Sequence, residues 1–451
     1  MYFSRYNLIL PMKENPEFPY AIMNSLSGGF DLVKTQEFDK LQGIKRGDAL
    51  DDNEFIQYLT ERGYLYPDEQ AEKNRLNARW PEFAEALQET APQVLLVPTY
   101  GCNLACTYCY QSGIKQKSQL MKREVADAFF DHLKVQFPDQ KPFITLFGGE
   151  ALNGSPRQKE IIDYIVKKAA QGGYAITAVT NGYDLLSYLD ILQQATVKEI
   201  QITLDGPQEV HDQRRHTIGG QGTYTKIMLG VEEAVRRGIP INLRAVMDKS
   251  NFEELVTLAE DLDNRGWLDL PPQRFKTQVG RNYELFECSA TPMHLLSHAE
   301  HWAMFVELAE KHPVLKKFHK PEFKGINHLV QTGELYLPSY DTCPACKTEW
   351  VFDLYGDIYG CTATTGQEQF KLGTYFPKFQ LKEDVKEWQE RSVLTIPECQ
   401  DCEVSLICGG GCGAVAKDRH GKVLAPDCHP IKELLTIGLN YYGDDILKMG
   451  Y

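Results

Sequence analysis

Three cysteines fall within one short stretch, Cys102-Asn-Leu-Ala-Cys106-Thr-Tyr-Cys109, shortly after the apolar run Val94-Leu95-Leu96-Val97. The run reads as a buried strand, so the cysteines belong to the loop that follows it. Three thiolates at CxxxCxxC spacing can hold three irons of a [4Fe–4S] cube and leave the fourth without a protein ligand. An open iron beside a reducible cluster can chelate a small molecule and pass it an electron. The plainer readings are a zinc site lacking its fourth ligand, or three structural thiols.

Strand and helix patterns alternate after the loop. Apolar strand-like runs occur at Phe143–Phe147, Ala175–Val179, Glu199–Leu204 and Ile241–Val246, with a further strand expected at Arg274–Gln278. Helix-period segments fall at Lys122–Val135, Arg157–Ala170, Leu186–Ala195, Thr225–Arg237 and Phe252–Asn264. Such alternation predicts an α/β fold with a parallel sheet and right-handed crossovers. Six βα steps make it a partial, open (β/α)6 TIM-like barrel. The cysteine loop then lies at the C-terminal mouth, where barrel sites are found.

Three further strand ends carry signals. The second strand runs into Gly148-Gly149-Glu150, where glycines permit close backbone approach and the glutamate supplies an acceptor. The third ends in Thr180-Asn181-Gly182 and the fourth in Thr203-Leu-Asp205-Gly-Pro207, with His211-Asp-Gln-Arg214-Arg215 after it. Each alone is an ordinary turn dipeptide or surface charge. In this order after CxxxCxxC the set resembles the radical SAM superfamily. The resemblance implies S-adenosylmethionine (SAM) on the open iron and its reductive cleavage to a 5′-deoxyadenosyl radical. It implies SAM contacts from Tyr108, Gly148, Gly149, Glu150, Thr180, Asn181, Thr203, Arg215 and Val246. Glu150 would take the amino group, Thr203 and Arg215 the carboxylate, and Val246 the adenine.

A second cysteine pattern closes the chain. Cys346 is followed by nine residues, Gly356, four residues and Cys361; then come Cys399-x2-Cys402-x5-Cys408-x3-Cys412 and finally Cys428, with Cys343 just ahead of the set. The CxxC pairs alone fit zinc knuckles equally well. The whole resembles the SPASM domain, which implies two auxiliary [4Fe–4S] clusters. One takes Cys343, Cys346, Cys361 and Cys412, the other Cys399, Cys402, Cys408 and Cys428. With the barrel cluster that makes three clusters and eleven of the 12 cysteines. Cys288 is left as a small thiol without a role, or as a hydrogen donor near the site.

Composition limits the partners. A net charge of −14 argues against a nucleic-acid partner. No stretch reaches membrane length and Met1–Leu10 shows no signal-peptide core, so a cytoplasmic chain with reduced thiols is expected. Three regions are expected: an N-terminal module at 1–92, the barrel at 93–310, and a bridging and SPASM region at 311–451. Around Leu26-Ser-Gly28-Gly29 the module has a hairpin signal, followed by short helical patterns and a longer helix at Asp68–Leu87 interrupted near Pro81. It resembles the winged modules that bind precursor leaders by strand addition; a packing extension is the bland reading. His294, His298 and His301 share a helix face and read as a polar face rather than a metal site.

Together these features resemble radical SAM/SPASM maturases of ribosomally made peptides. The implied reaction removes a hydrogen from a precursor residue and ends in a thioether or carbon–carbon cross-link, or an epimerisation. A precursor peptide and an electron donor such as ferredoxin or flavodoxin are the implied partners. Asp353, Asp357, Tyr359 and Cys288 are candidates for the acid or base. The anaerobic sulfatase-maturing enzymes are the rival. They carry an aspartate after the cysteine that corresponds to Cys361, where this chain has Thr362, and they lack some 90 leading residues. A non-catalytic leader-binding or electron-transfer protein is the alternative of another class.

Overall fold

The computed structural model describes residues 1–451 except 14, 113, 115–118, 283–293, 450 and 451. Cys288 lies outside the described residues. Six parallel strands form the barrel wall: Gln93–Val97, Phe143–Leu146, Ile176–Thr180, Val197–Thr203, Ile241–Met247 and Phe275–Arg281. They neighbour one another in chain order, as expected of successive βα crossovers. The first strand buries Val94, Leu95, Leu96 and Val97, apolar on both faces because helices cover one side and the barrel interior the other.

The helices follow their local signals. Pro156–Gly172 starts where Ser155 accepts from Gln158 N and Pro156 takes the first turn, and it ends at left-handed Gly173. Its buried stripe is Ile161, Ile162, Ile165, Val166 and Ala169. The segment expected to be one helix from Leu186 is instead a 3-10 turn, Leu185–Tyr188, and one α turn, Leu189–Leu192. Helix Tyr224–Arg236 presses Gly230 against it; a Cβ there would lie 3.1 Å from that of Leu185. A helix that the sequence pattern did not disclose, Gln208–Arg214, begins after Pro207.

The sheet continues beyond the barrel. Glu349–Asp353 pairs in parallel with Gln93–Val97, and Asp357–Tyr359, Gly373–Thr374 and Gln380–Leu381 follow antiparallel. A segment between two cysteines thus becomes the neighbour of the first barrel strand.

At the N-terminus, Asn7–Pro11, Tyr20–Asn24 and Gly29–Val33 form a three-stranded antiparallel sheet. Gly28 supplies the left-handed residue of the hairpin, and Asn24 Oδ1 accepts from Leu26 N and Ser27 N. One face, including Leu8, Leu10, Met23 and Phe30, packs on Ile326, Leu329, Leu435 and Leu439 of the C-terminal region. The other packs on its own helices Thr35–Arg46 and Asn53–Glu61 through Ile22, Leu41, Leu59 and Tyr64. Helix Glu69–Glu89 runs through Pro81 without the expected interruption. Trp80 and Phe83 pack on Tyr340 on either side of the proline, and these tertiary contacts outweigh the lost backbone bond.

Candidate active site at the barrel mouth

The cysteine loop has no regular secondary structure of its own. It is sewn to the segment after the fourth strand by Ala105 N to His216 O, Thr107 N to Arg214 O and Ile218 N to Asn103 O. Cys102 Sγ accepts from Leu104 N at 3.4 Å and lies 3.9 Å from Asn181 Nδ2. Burial pushes the Cys102 thiol up to about 12, and the Glu150 carboxylate adds to it. Burial also raises Cys106, against the opposing pull of Arg215.

The two glycines of Gly148-Gly149-Glu150 serve the loop directly. A Cβ on Gly148 would sit 2.3 Å from Thr99 O, and one on Gly149 2.3 Å from Tyr100 O. The close approach seen here is therefore to the chain itself, just ahead of Cys102. Gly149 N and Glu150 N donate to Thr99 O and Gly101 O. Glu150 is buried and accepts three bonds: Thr180 Oγ1 at 2.6 Å, Asn181 N at 2.6 Å and Leu152 N at 2.8 Å. Burial raises its carboxyl and these donors pull the other way. Glu150, Thr180 and Asn181 thus form one unit, and Asn181 Nδ2 extends it to Asn103 of the loop.

Across the mouth, Tyr108 OH donates to Asp205 at 2.5 Å and accepts from Arg215 Nη1 at 2.7 Å. Arg214 lies 4.9 Å from the Tyr108 ring centre and pairs with Asp248 at 2.9 Å. Asp205 also accepts from Val246 N at 3.0 Å. Five elements therefore fix Tyr108, Arg215 and Val246 in one network. The buried Arg215 Nε has no partner. Thr203 is half-buried at the end of the fourth strand, opposite Arg244.

The other cysteines separate into two sets. All eleven described cysteines are free thiols. Among the described residues no three His, Cys, Asp or Glu side chains are arranged to hold a single metal ion. Mutual electrostatics still sorts the thiols. Burial raises Cys346, with Cys361 and Cys343 adding to it, and burial raises Cys361, with Glu349, Cys343 and Cys412 adding. Burial raises Cys399, with Cys408, Cys402 and Cys428 adding, and burial raises Cys428, with Cys402 adding. Thiols so crowded and buried disfavour their own charge, and a polynuclear cation cluster would relieve that cost. The donor chemistry fits one cluster per set.

Asp353, Asp357 and Tyr359 lie elsewhere. Asp353 is fully buried and accepts from Tyr100 OH at 2.8 Å, Tyr355 N at 2.9 Å and Asp357 N at 3.0 Å. Burial pushes its carboxyl up to about 6. Asp357 pairs with Lys371 at 2.6 Å, and Tyr359 is buried near Asp353. None of the three lines the cavity, of about 630 Å³, between the barrel and both C-terminal cysteine sets. That cavity is walled by residues the sequence reading passed over, among them Arg244, Arg281, Asn282 and Glu349. Each sits on a strand or at its end with no motif around it; only inward strand alternation marks Arg244 and Glu349. His301 is buried on Phe252 and Trp302 with both ring nitrogens unpartnered, whereas His298 meets Arg281 and His429; the helix begins at His298, so His294 is not on its face.

An open parallel barrel with a three-cysteine loop at its mouth defines a class of redox enzyme. Residues 96–262 match the Radical SAM superfamily, so this part of the chain is a radical SAM domain, and the relatives it matches are named as enzymes. The superfamily implies SAM and a [4Fe–4S] cluster. A serine-type anaerobic sulfatase-maturating enzyme of Bacteroides thetaiotaomicron is 24% identical over 364 residues, 71% of this chain and 82% of the relative. A PqqA peptide cyclase of Ruegeria pomeroyi is 28% identical over 190 residues, 40% of this chain and 48% of the relative. In fold, native anSMEcpe with bound AdoMet matches with TM-score 0.60 and 17% identity, over 79% of this chain and 99% of that one. SuiB of Streptococcus suis bound to precursor peptide SuiA matches with TM-score 0.53 and 14% identity, over 95% and 99%. No helix among the described residues is long and apolar enough to cross a membrane.

Proposed function

We propose that this chain is a radical SAM/SPASM enzyme that modifies a residue of a ribosomally made precursor peptide, forming a cross-link or inverting a centre. The observation that carries the reading is the cavity shared by the barrel and the two C-terminal cysteine sets, a space that suits a peptide segment. Relatives named for peptides, the PqqA cyclase and SuiB with its precursor, support it. The division into 1–92, 93–310 and 311–451 belongs to this proposal, with the first and last regions sharing a core.

Cys102, Cys106 and Cys109 would hold the barrel cluster, and the two C-terminal sets one auxiliary cluster each. When bound, the barrel cluster and SAM supply the hydrogen-abstracting radical. The chain's own part is placement. Glu150, held in place by its three donors, is the acceptor for an amino group; Arg215, with its unpartnered Nε, is the donor for a carboxylate. Thr203 and Val246 complete the pocket on neighbouring strands. Cys428 is exposed, which brings the second set to the surface where a ferredoxin or flavodoxin would dock. A leader added as a strand would use the outer edge of Asn7–Pro11, because Arg62 and Tyr58 already bond Phe30 O and Asp31 on the opposite edge strand.

A second reading, formylglycine formation, is favoured by the Bacteroides relative. Thr362 replaces the aspartate of that family, but Thr362 N donates to Glu349 Oε1 at 2.8 Å, so a carboxylate does stand there, supplied by another strand. Anaerobic incubation with dithionite and SAM tests the common chemistry; failure to form 5′-deoxyadenosine would sink both readings. Mass analysis of candidate peptides with fragmentation, aldehyde derivatisation and chiral amino-acid analysis separates them. Loss of two hydrogens with a new linkage, or an inverted centre, fits the first; an aldehyde from Ser or Cys fits the second.

A further inference from the structure

A second cavity, of about 690 Å³, opens between the N-terminal module, the segment 322–342 and the last cysteine region. Its walls are mostly apolar. Met23 comes from the N-terminal sheet, Phe83 from helix Glu69–Glu89, Leu335 and Leu337 from the bridging segment, and Ile407 from the turn before Cys408. Met23 belongs to the sheet face that packs on Ile326 and Leu329, so the groove lies at the margin of that shared core. Lys324 and Thr342 border both this groove and the cavity at the cysteine sets, so the two spaces adjoin.

Three features distinguish the groove from a packing gap. Tyr336 is 51% and Leu337 55% exposed at its rim, yet the tyrosine is held fast. Its ring lies nearly parallel on His328 at 4.1 Å, its hydroxyl donates to Glu322 at 3.3 Å, and it covers Gly325, where a Cβ would come within 2.8 Å of it. An aromatic ring fixed while half exposed offers contact area to a ligand at little cost in entropy. Ser25 borders the groove at 5% exposure, and its buried hydroxyl has no partner among the described residues. Such a hydroxyl has lost its hydration, and a peptide group would restore the bond. Finally, Phe323, Lys324 and Gly325 all take left-handed backbone, with φ of 40°, 57° and 101°. Two of the three carry side chains, and Phe323 is locked against Tyr441 and Tyr442. The strain is thus imposed by the core, at the point where the two cavities meet.

We propose that this groove is a second subsite for the peptide. It takes a large apolar side chain, of the Phe, Leu or Ile kind, while the chain on one side of that residue passes Lys324 and Thr342 into the cavity at the cysteine sets. The inference rests on the peptide-modifying reading above. Phe83, Tyr336 and Leu337 enclose the side chain, and Ser25 Oγ bonds the peptide backbone. The occupant is a peptide rather than a second copy of this chain. A concave space of this volume holds a short segment and continues inward to the cysteine sets, whereas a second copy needs a broad face.

The test uses the full chain, anaerobically reconstituted. The probe is a short N-acetylated, C-amidated peptide of Ser and Gly with one central photo-leucine, the diazirine analogue of leucine. After irradiation, peptide mapping by mass spectrometry should place the label within 83–86, 335–337 or 406–407. Unlabelled peptides with central Phe or Leu should suppress that label at about tenfold lower concentration than the Ala peptide, as expected from the larger apolar area buried. Leu337→Asp and Tyr336→Ser alter half-exposed rim residues and should each cut the label about tenfold. Ser25→Ala should weaken suppression by the Phe peptide about fivefold without lowering the denaturant midpoint, because it removes an unpaired group. Two longer probes carry Phe at the amino or the carboxyl end and a diazirine-bearing lysine six residues away, about 20 Å of extended chain. One of them should label Thr362, Ala363 or Val415 of the adjoining cavity, and Phe→Ser in that probe should remove most of the label. Label outside the groove, equal suppression by the Phe and Ala peptides, or label undiminished in both rim variants overturns the proposal. Failure of both longer probes to reach the adjoining cavity overturns it as well. So does a concentration-dependent dimer in sedimentation that Leu337→Asp dissolves, which would give the groove to a second copy. Formation of 5′-deoxyadenosine by the parent with SAM and dithionite is measured on a separate sample. Its absence defeats the proposed chemistry, whereas an active enzyme with an unlabelled groove defeats the subsite alone.

Discussion

The barrel loop and the C-terminal cysteine region present thiols in opposite ways. Cys102, Cys106 and Cys109 are half-buried on a loop held from outside, by backbone bonds to residues 214–218 and by Asn181. Cys343, Cys346, Cys361, Cys399 and Cys408 are buried in a region of short turns and little regular structure. There the knot is ionic. Arg391, fully buried, bonds Asp341 at 2.8 Å and the carbonyls of Val423, Gly410 and Ala425, and Asp341 in turn accepts from Cys343 N and Lys347. A three-ligand loop left open on one side suits chemistry. The two four-thiol sets proposed for the C-terminal region would suit electron storage and structure, much as open and closed zinc sites divide catalytic from structural roles.

The sharpest break of this comparison is to remove one side of it. A Cys102, Cys106, Cys109 triple alanine variant should lose all SAM cleavage yet keep about eight of about twelve irons after reconstitution. Zinc in place of iron in anaerobically purified protein would contradict both halves of the comparison.

Next in size is the ionic knot. Arg391→Ala strands the buried Asp341 and three carbonyls, and should cost roughly 3–5 kcal/mol by anaerobic denaturant unfolding. Iron should be lost from the C-terminal sets before the barrel loop. An unchanged midpoint would mean that the clusters alone hold the region.

At the mouth, Glu150→Ala should weaken SAM binding about tenfold to a hundredfold, or roughly 1.5–3 kcal/mol, and spare the iron content. It also leaves Thr180 Oγ1 and Asn181 N short of an acceptor, so Glu150→Gln, which keeps an acceptor oxygen, should lose less affinity. Equal SAM affinity in the parent and the alanine variant would remove Glu150 from the pocket.

The smallest effect concerns the seam between the regions, where Tyr100 after the first barrel strand bonds Asp353 of the added strand. The folded-state carboxyl titrates at about 6, above its ordinary 3.8, so the folded chain holds this proton more tightly than the unfolded chain. Its contribution to stability is therefore lost as pH rises between those values, and above about 6 the buried charge costs on the order of 3 kcal/mol, which the imperfect fit of an asparagine in its place partly masks. Asp353→Asn should be more stable than the parent at pH 7, with the difference shrinking toward pH 5. A pH-independent difference would mean that Asp353 stays charged or neutral throughout.

Much of the barrel was legible because its signals are local. An apolar run such as Val94–Val97, a Ser-Pro start and a Gly stop each act within a few residues, and three cysteines in CxxxCxxC must share a loop wherever it goes. Gly148-Gly149-Glu150 was legible as a close approach, but what it approaches was not: the glycines press on Thr99 and Tyr100, some fifty residues earlier. Asp353 and Asp357 drew notice by standing near Cys361 in sequence. Their side chains turn to Tyr100 and Lys371, because a strand sends neighbouring residues to opposite faces and the partner strand decides what each face meets.

What the sequence determined by itself was the order of strands and helices, the thiol inventory and the mouth at which the first three thiols stand. All of these follow from spacing along the chain. The grouping of the remaining thiols came from the SPASM resemblance, and in the structure Cys412 acts on Cys361 and Cys428 on Cys399. Only the tertiary structure laid Arg244 over Gly280, set Glu349 beside Thr362 and made the N-terminal sheet part of the C-terminal core. Those pairs are joined by hydrogen bonds, charge and close packing between residues far apart in the chain. Such contacts leave no periodic trace in sequence, since each partner alone looks like an ordinary surface charge, turn glycine or strand residue.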